Sequence, residues 1–238
     1  MKNNAKIIIF GLFIIIIFLV TVKNSIPNAY LNESDQNIVV NYRDDIYGTS
    51  NTYSSLEEIS ESPKTVFSLK ISNTVINDPE SISKYENIEY LNIYECEIND
   101  FSFLRSLDNL KSLEISYSKS NDFSRIKYLQ NKERLLSLEI AYCKNIDGSP
   151  VTDIDWLKDF TGLTFLSLCG NDIKNFDVIS NMKNLEILYL YDNDSISTLE
   201  PLYELPNLTS VIIPSTYVYT DEDTNHLGNP MESTIYYD

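Results

Sequence analysis

The stretch Leu163–Ile173, LTFLSLCGNDI, sets the reading of the whole chain. Its apolar residues alternate with others through Leu166 and Leu168, which is the period of a half-buried strand, with Phe165, Ser167 and Cys169 pointing to the opposite face. Asn171 then ends the strand. A side-chain amide at that point can satisfy the backbone amides and carbonyls that a turn sets free.

The same grammar recurs along the chain. It reads VFSLKISNTVI from Val66, IEYLNIYECEI from Ile88, LKSLEISYSKS from Leu110, LLSLEIAYCKNI from Leu135, LEILYLYDNDSI from Leu185 and LTSVIIPSTYV from Leu208. With Leu163 these are seven copies, spaced 22, 22, 25, 28, 22 and 23 residues apart. Eight residues after each start stand Thr74, Cys96, Ser118, Cys143, Asn171, Asn193 and Thr216. All are small and polar or weakly polar, as an inward ladder of turn-closing side chains requires.

After each core the apolar residues fall every third position, as in Ile98, Phe101, Leu104, Leu107 and Leu110, in Ile173, Phe176, Ile179, Met182 and Leu185, and from Ile196 to Leu208. Period three predicts 3₁₀ turns rather than full α-helices. The longer fourth copy, TDIDWLKDFTGL from Thr152, has room for a fuller helical turn, with Thr152 or Asp153 as its N-cap and Gly162 as its stop.

On these residues the chain resembles the leucine-rich repeat proteins, whose L-x-x-L-x-L-x-x-N/C-x-L pattern it carries over roughly residues 63–219. The 22-residue, period-three variety is similar to that of bacterial internalin-type proteins. The resemblance implies surface recognition, although the helical cap and immunoglobulin-like flanking domain of that group are not recognisable here. No copy can bury its apolar edge alone, so stacked copies must share one core. The expected fold is an α/β leucine-rich repeat solenoid, a right-handed superhelix with a parallel sheet on the concave face and short helical turns on the convex one. Expected boundaries are 1–29 for a signal peptide or signal anchor, 30–62 for an N-terminal cap or stalk, 63–219 for the repeats and 220–238 for a C-terminal cap, with Met231–Asp238 as a partial eighth strand.

Lys2 and Lys6 precede an apolar run from Ile7 to Val22, IIIFGLFIIIIFLVTV, which matches the n-region and h-region of an export signal. Cleaved or retained, it would leave the repeats outside the cytoplasm and would be the only part of the chain to meet a membrane.

Three cysteines cannot make a complete disulfide framework. Cys96 and Cys143 lie two copies apart, about 10 Å at the spacing of parallel strands, beyond disulfide reach. Cys169 falls on the concave face and is expected to be partly open to solvent. The only histidine, His226, lies beyond the last repeat, far from any thiol it could activate. A net charge of -17 disfavours nucleic acid, which requires clustered Lys and Arg. Asp192-Asn-Asp194-Ser lacks the Gly at the sixth place and the Glu at the twelfth of a calcium loop. Neither cofactor nor metal is expected.

The third, fifth, seventh and eighth positions of each copy face outward from the strands. The candidate partner-binding set there is Tyr90, Tyr94, Glu95, Glu114, Tyr117, Glu139, Tyr142, Phe165, Tyr189, Tyr191 and Asp192. Aromatic rings on a rigid sheet supply large contact area at little entropy cost. A partner protein, on a host surface or in the envelope, is therefore the leading reading, with envelope polysaccharide or another glycan second. Glu114 and Glu139 occupy equivalent positions on adjacent copies, a spacing that paired-carboxylate hydrolysis uses. An open sheet neither excludes water nor fixes a sugar ring, so catalysis is not expected.

Overall fold

The computed structural model describes residues 6–7, 38–42, 50–59 and 62–227. The candidate leader beyond Ile7 and the candidate eighth strand Met231–Asp238 lie outside the described residues. Seven strands, one per copy, form a parallel sheet: Val66–Ser72, Tyr90–Tyr94, Ser112–Ser116, Ser137–Ala141, Phe165–Ser167, Ile187–Tyr189 and Ser210–Ile212. Their register is in phase with the repeat, so Leu69, Leu91, Leu113, Leu138, Leu166, Leu188 and Val211 align in one row. All seven are buried. Each such side chain contributes about 1.5–3 kcal/mol by leaving water, and the row does so only because its neighbours supply the other wall.

Behind the sheet run the expected 3₁₀ turns, at Pro79–Lys84, Ser102–Ser106, Phe123–Tyr128, Asp155–Asp159, Asp177–Asn181 and Glu200–Leu202. The fourth copy departs from its expected cap. Its turn begins after Ile154, while Asp153 accepts the backbone N–H of Asp155 at 2.9 Å, and it ends before Phe160. Gly162 serves close approach instead of a helix stop: a Cβ there would stand 2.0 Å from the Glu133 carbonyl oxygen.

The two kinds of ladder chemistry divide the molecule. In the first four copies a second, four-stranded parallel sheet of two-residue segments follows the turn, at Val75–Ile76, Glu97–Ile98, Lys119–Ser120 and Lys144–Asn145. In the fifth and sixth copies asparagine takes over. Asn171 Oδ1 accepts the N–H of Cys143 at 3.1 Å while its amide donates to the carbonyls of Leu168 and Ile140. Asn193 Oδ1 accepts the N–H of Ile173 at 2.8 Å and its amide donates to Leu168 and Leu190, both at 2.9 Å. Both asparagines are fully buried, as the ladder reading requires. Thr216 breaks the rule: it is exposed and donates to Asp194 at 2.8 Å, because no further copy covers it among the described residues.

The ends are closed differently. At the N-terminal edge Ile38–Tyr42 pairs antiparallel with both Val66–Ser72 and Ser50–Tyr53. Ile38 and Val40 complete the core, and Tyr85 donates to the Leu56 carbonyl at 3.3 Å. Beyond Ser210–Ile212, along which the segment Lys6–Ile7 is paired, the short α-helix Asp221–Leu227 packs Leu227 into the core. Asp223, 1% exposed, accepts from Tyr203 at 2.7 Å, Tyr217 at 3.0 Å and the backbone and hydroxyl of Thr220, both at 2.8 Å. His226 stacks on the Tyr203 ring at 4.2 Å. Among the described residues no helix is long and apolar enough to cross a membrane.

Candidate functional site

Strand alternation and repeat register together array the concave face as rows. The fifth-position row runs Lys70, Asn92, Glu114, Glu139, Ser167, Tyr189, Ile212, each residue in register with the next. It therefore changes from charged and polar to apolar along the solenoid. The seventh-position row follows the same gradient, from Ser72, Tyr94 and Ser116 to Ala141, Cys169 and Tyr191.

Glu114 and Glu139 form the polar floor. Glu114 Oε2 accepts from Asn92 at 2.6 Å, and Glu139 Oε1 from Ser116 at 2.5 Å. Both residues are half-buried in the sheet. Burial, and then repulsion by Glu139, push the Glu114 carboxyl up to about 7, against the opposing hydrogen bonds from Asn92 and Ser112 and the charge of Lys70. Burial raises Glu139 as well, opposed by hydrogen bonds from Ser116 and Ser167. Desolvation disfavours the charged form, and a like charge one strand away adds to it.

Along one side of this floor stands a ridge of rings. Lys70 Nζ lies 5.8 Å from the Tyr94 ring centroid. Tyr94 meets Tyr117 edge to face at 5.6 Å, and Tyr117 stacks on Tyr142 at 5.0 Å with 4° between planes. Tyr142 then donates to Asp192 at 2.9 Å. That bond passes over the intervening copy because Gly170 occupies the eighth position there; a Cβ on Gly170 would stand 2.3 Å from the Tyr142 ring. Tyr117 is 53% exposed, and Glu95 and Asp192 are exposed beside it.

The eighth position has a property that spacing alone did not reveal. Asn73, Glu95, Tyr117, Tyr142, Gly170 and Asp192 all have φ between 51° and 68°. Each of the first six strands thus leaves the sheet through a left-handed residue. Asn and Gly in two of these places were the available signal, and the tyrosines masked it.

Two expectations are corrected on the apolar half. Cys169 is buried, 3% exposed, and Tyr189 is 6% exposed. With Ala141 and Ile212 they make a separate small core on the concave side, covered by Tyr142, Phe165, Ile187 and Tyr191. Side chains converge on the inner side of a curved sheet, so large residues on adjacent strands cover one another; Phe165 packs edge to face on Tyr189 at 5.3 Å. Burial raises the Cys169 thiol to about 12, which makes it inert. Tyr90, half-buried, packs edge to face against Phe67 at 6.2 Å, away from the ridge. The structure thus brings together Tyr94, Glu95, Tyr117, Tyr142 and Asp192 as an accessible ridge, Glu114 and Glu139 as a floor, and Phe165, Tyr189 and Tyr191 as an apolar shelf.

Comparison with known proteins agrees with this architecture. Residues 161–204 match a family model described as leucine-rich repeats in two copies. The fold is similar to that of an internalin from Listeria monocytogenes, with TM-score 0.57 and 24% identity over 74% of this chain. The chain spans 48% of the length of that internalin. It is also similar to internalin C2 of the same organism, with TM-score 0.51 and 20% identity over 73% of this chain and 81% of the other. Comparison with curated protein sequences yields no match.

Proposed function

We propose that this chain, a leucine-rich repeat protein of internalin-like fold, is a non-enzymatic recognition module that holds a partner protein on its concave face. The observation that carries the reading is the pair Tyr117 and Tyr142. Both rings sit on left-handed backbone, where a non-glycine residue costs on the order of 1–3 kcal/mol. Asn and Gly fill the equivalent places at 73 and 170, so the repeat accepts residues that cost less. Large rings kept at strained and accessible positions fit a binding role better than a role in stability.

The same stack favours a protein over a glycan. Tyr117 and Tyr142 cover each other's faces and offer edges and hydroxyls outward, whereas a sugar needs an open ring face. The apolar run Ile7–Val22 supports a location outside the cytoplasm, secreted or held at the membrane by that run.

The test is capture from surface-protein and cell-wall glycan extracts by the full chain, beside a variant carrying Tyr94→Ala, Tyr117→Ala and Tyr142→Ala whose circular dichroism is unchanged. Protein capture by the natural chain that the variant loses supports the reading. Capture that the variant retains, or capture of glycan alone, overturns it.

A further inference from the structure

We propose that the Glu114–Glu139 pair is the socket for a single arginine side chain of the partner polypeptide. This rests on the concave face being the recognition surface and names what its floor receives.

The floor is made of acceptors. Asn92 uses its amide on Glu114 and leaves Oδ1 buried with no partner. Ser137, 5% exposed, has a buried Oγ with no hydrogen bond. Ser137 lies two residues before Glu139 on the same strand face and in register with Ser112, whose hydroxyl bonds Glu114. Two glutamates on neighbouring strands, their backbones about 4.8 Å apart, thus share a site with two unmet oxygens. A guanidinium brings five donors, no acceptor and a planar fork that spans two carboxylates. It also sheds water more readily than an ammonium, which suits a partly enclosed floor, and its flat face can lie along the neighbouring Tyr117.

The charged and titratable groups around the pair support the assignment. Lys70 acts on Glu114 from two strands away, while Tyr117, Cys169 and Tyr189 surround Glu139. Burial raises both carboxyls, and repulsion by Glu139 adds to it at Glu114, which is pushed up to about 7. A cation placed between them draws both to the ionised form, so binding releases protons and tightens as pH rises from about 5 to about 8.

The experiment titrates N-acetyl-arginine amide into the full chain carrying ¹³C-carboxyl glutamate, at pH 7. The expected result is a saturable shift of the Glu114 and Glu139 signals, with their titration midpoints falling by about one unit. N-acetyl-lysine amide should give a distinctly weaker response, and Glu114→Gln should remove saturation. Ser137→Ala should weaken binding about threefold with no loss of Tm, since its hydroxyl has no partner to lose. Absence of saturation, an equal response to the lysine analogue, or a saturable shift of the Glu139 signal retained in Glu114→Gln would each overturn the proposal. If arginine fails while the tyrosine substitutions still abolish protein capture, this inference falls and the broader reading stands.

Discussion

At the scale of single residues, the concave face carries costs that a repeat built for stability alone would avoid. Glu114 makes one of them measurable. Its carboxyl titrates near 4.5 in the unfolded chain and near 7 in the folded one, so between those values the folded state holds a proton that unfolding releases. Its contribution to stability therefore falls as pH rises through that window and is level above it. Glu114→Gln should accordingly raise Tm at pH 8 and flatten the dependence between pH 5 and pH 7, as thermal melts across that range would show. Gly170 is the opposite case. Gly170→Ala should cost about 1–3 kcal/mol, read by urea denaturation, because it adds a Cβ at φ 68° and drives it into the Tyr142 ring. The rows that bring Glu114 beside Glu139 were legible from spacing, since parallel register follows from repeat period. The left-handed exits at Tyr117 and Tyr142 were not, because tyrosine gives no compositional sign of positive φ. The burial of Cys169 and Tyr189 was also hidden, since it depends on curvature bringing Phe165, Ile187 and Tyr191 over them.

At the scale of elements, stability rests on turn chemistry that changes along the chain. Asn171 closes three backbone groups from two copies at once, so Asn171→Ala should cost about 2–4 kcal/mol by leaving them unpaired, measured by chemical denaturation. Ser118 fills the same slot with one accepted bond, from Cys96 N–H at 3.0 Å, and one donated to the Ser116 carbonyl at 2.9 Å. Ser118→Ala should therefore cost less than Asn171→Ala. The ladder slot and the 3₁₀ turns were readable in the sequence as fixed offsets. The antiparallel pairing of Ile38–Tyr42 and the helix Asp221–Leu227 were not, as they occur once and have no period. At the C-terminal end burial opposes the charge of Asp223, but hydrogen bonds from Tyr203, Thr220 and Tyr217 outweigh it and hold the carboxyl below its ordinary 3.8. Its stabilisation is thus present above about 3.8 and is lost as pH falls through the lower folded value. Asp223→Asn should lower Tm at pH 7, with the difference from the natural chain shrinking in acid.

At the scale of the whole molecule, contacts run from each copy to its neighbours and little further, so stability should be graded along the axis. Amide hydrogen exchange is expected to be slowest at Leu113, Ile115, Leu138 and Ile140, flanked on both sides by full copies, and faster at Val211 and Ile213 near the end. Equal protection throughout would show a single cooperative unit instead. The longer copies leave the inner face undisturbed. The extra residues of the third copy form the turn Lys132–Arg134, and those of the fourth form an exposed bend from Ile146 to Pro150, held by Asn145 bonding Ser149 at 2.9 Å. Neither interrupts the register from Ser112–Ser116 to Phe165–Ser167. The exposed Ile146 in this bend, rather than Gly148 with its left-handed φ of 86°, is thus a ready port for a fluorophore or a tether: cargo fixed there would ride on the flank of the molecule without shadowing whatever the hollow side holds.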